Sequence, residues 1–171
     1  MECSMSETGT QTSRQWLTPS MVLVRGLLML PWLSISPAAA NSMDIVIANG
    51  PQAGTYKLPA ANMICMNVKA RKLFSAAYKD STAQDATVIS GTGVNVFNPD
   101  EAGPKRGEIT IRFGDPDEKR PAAYNISIAR DSKNLLTMKK SGKVAEVAFD
   151  GQTKTGAKLR VLATCTEIEE F

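Results

Sequence analysis

From residue 43 onward, apolar and polar positions alternate in short runs broken by Gly, Pro, Asn and Asp, the period-two signature of half-buried strands. The cleanest run is 107–113: Ile109, Ile111 and Phe113 fall on one face, Glu108, Thr110 and Arg112 on the other. Residues 142–166 read as two strands joined by a Gly- and Thr-rich turn. In the first, Ala145, Val147 and Phe149 oppose Glu146 and Asp150. In the second, Leu159, Val161, Ala163 and Cys165 are in phase, with Lys158, Arg160, Thr164 and Thr166 opposite. Tyr124, Ile126 and Ile128 form another inward set, as do Tyr56 and Leu58. Runs 43–48 and 135–138 are short apolar strands.

Other segments fit the pattern less well. In 62–68, Ile64, Met66 and Val68 share the more apolar face, leaving Met63 and Cys65 on the other. Cys65 is therefore out of phase with that face, which a bulge or a strand covered on both sides would resolve. Residues 69–78 carry both helical and strand spacing and are assigned to strand because their neighbours are strands. Residues 87–90 and 94–97 read as two strands around a turn at Gly91, Thr92 and Gly93. The acidic end, 167–171, is expected to fray. About ten short strands at this spacing predict one all-β domain over 41–171, either an antiparallel sandwich of Greek-key type or a small barrel.

The chain before residue 41 has a different character. Residues 1–20 are polar and aperiodic, and read as unstructured or as lying upstream of a true start at Met21. Residues 21–40 have the grammar of a cleaved signal peptide: Arg25, a short apolar core at 26–35, then alanines leading to a cut between Ala40 and Asn41. A membrane anchor would need about 20 apolar residues, and this run is shorter and contains Pro31. A lipoprotein signal would place Cys where Asn41 stands. The expected location is the periplasm or the extracellular space, and no membrane span is expected after processing.

Composition narrows the chemistry. The net charge of +3 is modest for a dedicated nucleic-acid binder. With no histidine, Ser-His-Asp and Cys-His nucleophile activation and His-bearing zinc sites are excluded. Removal of the leader takes Cys3 with it and leaves Cys65 and Cys165, which in an oxidising compartment predict one disulfide. One early Cys after a Gly-x-Tyr strand at 54–65, and a final G-x-T-x-x-G hairpin ending on Cys at 151–165, resemble small exported bacterial β-sandwich proteins, including the lipoprotein-antigen type. The lipid-bearing Cys of that type is absent, and the resemblance carries no function with it.

Three sets of residues invite a chemical reading. Asn98-Pro99-Asp100-Glu101 and Asp115-Pro116-Asp117-Glu118 are oxygen-rich and could suit Ca²⁺, but they also fit Pro-containing surface turns, and turns at opposite ends of a sheet cannot share an ion. No metal or cofactor is expected, and the Gly91–Gly93 run lacks the helix and Lys-Ser/Thr of a phosphate loop. The basic groups Lys69, Arg71, Lys72; Lys139, Lys140, Lys143; and Lys154, Lys158, Arg160 suit an anionic surface or a solvated face, with no interleaved aromatics for single-stranded nucleic acid. Glu108, Glu146 and Asp150 lie on strands and are the acids best suited to carboxylate hydrolysis, though nothing in the sequence sets any two of them at a working separation. The expectation is an exported, non-catalytic module that binds a protein or envelope component. The alternatives are a carboxylate-dependent hydrolase and an inhibitor presenting loop 114–121.

Overall fold

The structure is a computed structural model that describes residues 40–116, 123–130 and 132–171. Among the described residues, eleven strands form two sheets packed as a sandwich: β1 (Ser42–Ala48), β2 (Gly54–Leu58), β3 (Met63–Val68), β4 (Leu73–Lys79), β5 (Ile89–Phe97), β6 (Arg106–Phe113), β7 (Tyr124–Ile128), β8 (Leu135–Ser141), β9 (Val144–Gln152), β10 (Lys158–Cys165) and β11 (Glu169–Glu170). The first sheet has the order β2-β1-β10-β9-β8 and the second β11-β3-β4-β5-β6-β7, so the fold is a sandwich and not a closed barrel. Strands β8, β9 and β10 form a meander, and β1 lies beside β10 although the whole β3–β7 meander separates them in sequence. Among the described residues, no helix is long and apolar enough to cross a membrane.

The alternating residues fill the space between the sheets. Met43, Ile45 and Ile47 of β1 meet Val147, Phe149, Leu159 and Val161 on one side of the core. Phe74, Val94, Val96, Ile109 and Ile111 supply the other side. At one end, Phe113 of β6 lies edge-on between Tyr56 of β2 and Tyr124 of β7, with ring centroids 5.4 and 6.5 Å away. Such edge-to-face pairs contribute about 0.5–1.5 kcal/mol beyond area burial. Here the Tyr56–Phe113 pair links opposite sheets, and the Phe113–Tyr124 pair joins neighbouring strands of one sheet.

The disulfide joins Cys65 of β3 to Cys165 of β10, with Cα atoms 6.0 Å apart, and so staples one sheet to the other across the core. Both sulfurs belong to nearly inaccessible residues. The phase problem at Cys65 resolves in a way neither expected alternative covers. Met63, Cys65 and Asn67 point inward, and the more apolar set, Ile64, Met66 and Val68, lies on the outer face, with Ile64 half exposed. Register with β4 is unbroken from Met63 to Val68, so there is no bulge. The covalent bond and the buried Asn67 decide the phase against side-chain hydrophobicity.

Three further expectations are corrected. Gly91, Thr92 and Gly93 do not turn: β5 runs straight through them, paired with β4 on one side and β6 on the other. A register irregularity between Ile89 and Gly91 makes consecutive Ile89 and Ser90 both buried, which hides the alternation. Within 69–78, only Leu73 onward is strand; Lys69–Arg71 form a 3-10 turn and Lys72 takes a left-handed φ of 48°, reversing the chain between β3 and β4. The 167–171 end does not fray. Ile168 is buried, and β11 pairs in parallel with β3. The Phe171 amide donates to the Asn67 carbonyl, and the Lys69 amide donates to the Phe171 carbonyl.

Candidate functional site

The outer face of the five-stranded sheet carries the most developed hollow. Its residues are the outward half of each alternating strand. Val46 of β1, Leu162 of β10 and Leu135 of β8 are 40%, 40% and 52% exposed, and Ala148 of β9 lies between them. Register puts Val46 beside Arg160, Arg160 beside Asp150, and Asp150 beside Leu135, in one row across four strands. The next row is Asp44, Leu162, Ala148 and Thr137. Two adjoining depressions of about 490 and 330 Å³ share Val46, Asp150 and Arg160.

The two depressions differ in chemistry. The larger runs toward the β9–β10 turn and takes in Lys133, Asn134, Gln152 and Lys158. The smaller is floored by Leu135, Ala148 and Leu162. At the waist, the Arg160 Nε donates to Asp150 Oδ2 over 2.8 Å. Both side chains are mostly exposed, so the pair contributes little to stability. Its effect is to cancel the two charges that stand in the middle of the apolar floor. The rim is held by Asn134, whose Oδ1 accepts from the Gln152 amide at 2.8 Å and whose Nδ2 donates to the Gln152 carbonyl at 3.2 Å. This side chain extends the edge of β8 as a strand residue would.

A third depression, of about 380 Å³, lies between the β3–β4 and β5–β6 turns and is lined by residues that include Asn67, Lys69, Lys72, Asn98, Asp100 and Glu101. Two of its charges, Lys69 and Glu101, are already paired. Lys69 and Lys140 bind the two oxygens of Glu170 at 3.1 and 3.2 Å, and Asn67 Nδ2 donates to the same carboxylate. Glu101 pairs with Arg130, and the Lys105 ammonium donates to the Glu101 carbonyl. Hydrogen bonds from Lys69 first and then Lys140 hold the Glu170 carboxyl below the usual carboxylate range.

The residues singled out in the sequence are dispersed by this geometry. Glu108 faces outward from the six-stranded sheet and Glu146 outward from the other, so the sandwich separates them. Glu146 and Asp150 share β9 and its outer face but are four residues, about 13 Å, apart. Asn98–Glu101 follow β5 while Asp115 follows β6, which places them at opposite ends of β6; Asp117 and Glu118 lie outside the described residues, as does most of loop 114–121. No group of three or more acidic or Cys side chains suits a metal ion among the described residues. Burial raises the phenol pKa values of Tyr56 and Tyr78.

Of the basic groups, Lys158 and Arg160 enter the hollow, and Glu170 gathers Lys69 and Lys140 from the other two. Val46, Leu135 and Leu162 were missed by sequence reasoning, which followed the inward positions. Their signal was an aliphatic residue in the polar phase, most plainly Leu162 between Arg160 and Thr164. No family model, no curated protein and no solved structure matches this chain significantly.

Proposed function

We propose that the protein is an exported, non-catalytic binding module that takes a cell-envelope component on the outer face of its five-stranded sheet. The observation that carries this reading is the cluster of Val46, Leu135 and Leu162, aliphatic and half exposed over one concave face with cations at its rim. Isolated apolar surface residues are ordinary, whereas a contiguous apolar patch rimmed by polar groups marks an interaction site. Export is supported by the leader and by the position of the cut. Cleavage after Ala40 leaves every strand among the described residues intact, because β1 starts at Ser42. A disulfide is also weakly consistent with an oxidising compartment. The binding reading is favoured over hydrolysis by the dispersal of Glu108, Glu146 and Asp150.

Three measurements test the proposal. Protein recovered from an exporting host has an intact mass beginning at Asn41, and a membrane-held product retaining Met21 rejects export. In amide spectra of the labelled protein, an envelope extract shifts residues 46, 135, 148 and 162, and shifts confined to any other surface reject the site. Esterase, glycosidase and phosphatase substrates show no turnover. Activity lost on Glu108→Gln or Glu146→Gln would make the protein a hydrolase.

A further inference from the structure

The hollow is polarised along the strands. Lys133 and Lys158 stand at one end and form no ion pair among the described residues, while Arg160 is neutralised by Asp150. Leu162 and Ala148 stand at the other end, and Leu135 lies in the row between, beside Asp150. From Lys158 to Leu162 along β10 is four residues, about 13 Å, and from β1 to β8 is three strand spacings, about 14 Å. An extended alkyl chain of about ten carbons covers such a length at ~1.3 Å of advance per bond.

We propose that this hollow binds a phosphate-headed aliphatic lipid, with the head between Lys133 and Lys158 and the chain over Val46, Ala148, Leu162 and Leu135. The inference rests on the reading of this face as the binding site. Charge complementarity selects the head: two unpaired ammonium groups match a phosphate monoester of charge about −2. The floor selects the chain. It is aliphatic, and the only aromatic in its lining, Phe149, is buried with its side chain in the core, so sugars and bases have nothing to stack on. A peptide is disfavoured because the hollow lies over the face of the sheet. The backbone groups of β1, β10 and β9 beneath it are used by the ladders on both sides, so a peptide lying on this floor has none of their groups to pair with. An alkyl chain has no backbone groups to satisfy.

The test uses the whole disulfide-bonded protein and decyl phosphate below its micelle concentration. Saturable amide shifts are expected at residues 46, 148, 158 and 162. Inorganic phosphate alone and decyltrimethylammonium should each bind at least tenfold more weakly. Lys133→Glu with Lys158→Glu should lower decyl phosphate affinity tenfold or more with an unchanged melting temperature. Leu162→Asp should do the same from the other end. Equal binding of the cationic amphiphile, shifts on another surface, or no saturation overturns the proposal. If a delipidated envelope extract shifts this face and decyl phosphate does not, the lipid is wrong and the binding face stands. If neither shifts it, the face itself is wrong.

Discussion

Gly107 shows how a single side-chain position can decide the packing of two sheets. A Cβ added there would press on the Asn95 carbonyl oxygen and lie 2.5 Å from Leu136 Cδ2. Leu136 is buried and its carbonyl accepts from the Lys105 amide, so β8 is docked tightly onto the start of β6 and cannot yield cheaply. Gly107→Ala should destabilise the domain by about 1–3 kcal/mol, read as a fall in the urea midpoint. Acid sensitivity also originates in named residues. Asp80 is held below its ordinary pKa by the Thr82 hydroxyl and then the Thr82 amide, Asp85 by the Thr87 amide and then its hydroxyl, and Glu170 by Lys69 and then Lys140. Each folded-state value is depressed, so the stabilisation is present above the unfolded carboxylate range and is lost as pH falls through the folded value. The urea midpoint should therefore decline below about pH 4.5. Combining Asp80→Asn, Asp85→Asn and Glu170→Gln should flatten that decline. A decline as steep in the triple variant would locate the sensitivity elsewhere.

At the scale of elements, β11 is the part of the fold whose removal is most informative. It covers the outer edge of β3 with two paired residues, a buried Ile168 and the Glu170 contacts. Ending the chain after Thr166 should speed hydrogen exchange at the Lys69 amide, which loses the Phe171 carbonyl, while β9 and β10 amides keep their protection. Unchanged exchange at Lys69 would mean the segment contributes no order there. The same element shows what the sequence could reveal. Strands whose burial is one-sided, such as β6, β7 and β10, were legible because alternation alone fixes their phase. Strand β11 was not, because a two-residue parallel pairing has no period and owes its position to partners about 100 residues away. Strand β3 misled for a related reason: Cys65 and Asn67 face inward for a bond and for hydrogen bonds, against the apolar majority. In β5, pairing on both edges held glycines straight that would have turned in isolation. The hollow was half legible. Its cations were visible as a cluster, but its aliphatic floor emerged only when register placed residues from β1, β8, β9 and β10 side by side.

For the whole molecule, the Cys65–Cys165 bond closes a loop with a sequence separation of 100. In the chain-entropy model a loop of this size stabilises by about 4–5 kcal/mol, comparable with the low end of a domain's net stability. Replacing both cysteines by Ala should lower the urea midpoint by that order, and non-reducing peptide mapping of the native protein should recover the Cys65 and Cys165 peptides together. Recovery of both as free thiols would contradict the staple. The same bond has a mechanical consequence. A molecule pulled by its ends bears tension only through the segments outside the bridge, because everything between the two sulfurs is short-circuited. Measured from Asn41, about 30 residues can be drawn out, roughly 100 Å of contour, before the covalent bond carries the load. Strands β4 to β9 lie wholly inside that shelter. A stretched oxidised molecule should therefore give one short release of this length, and the reduced molecule one several times longer.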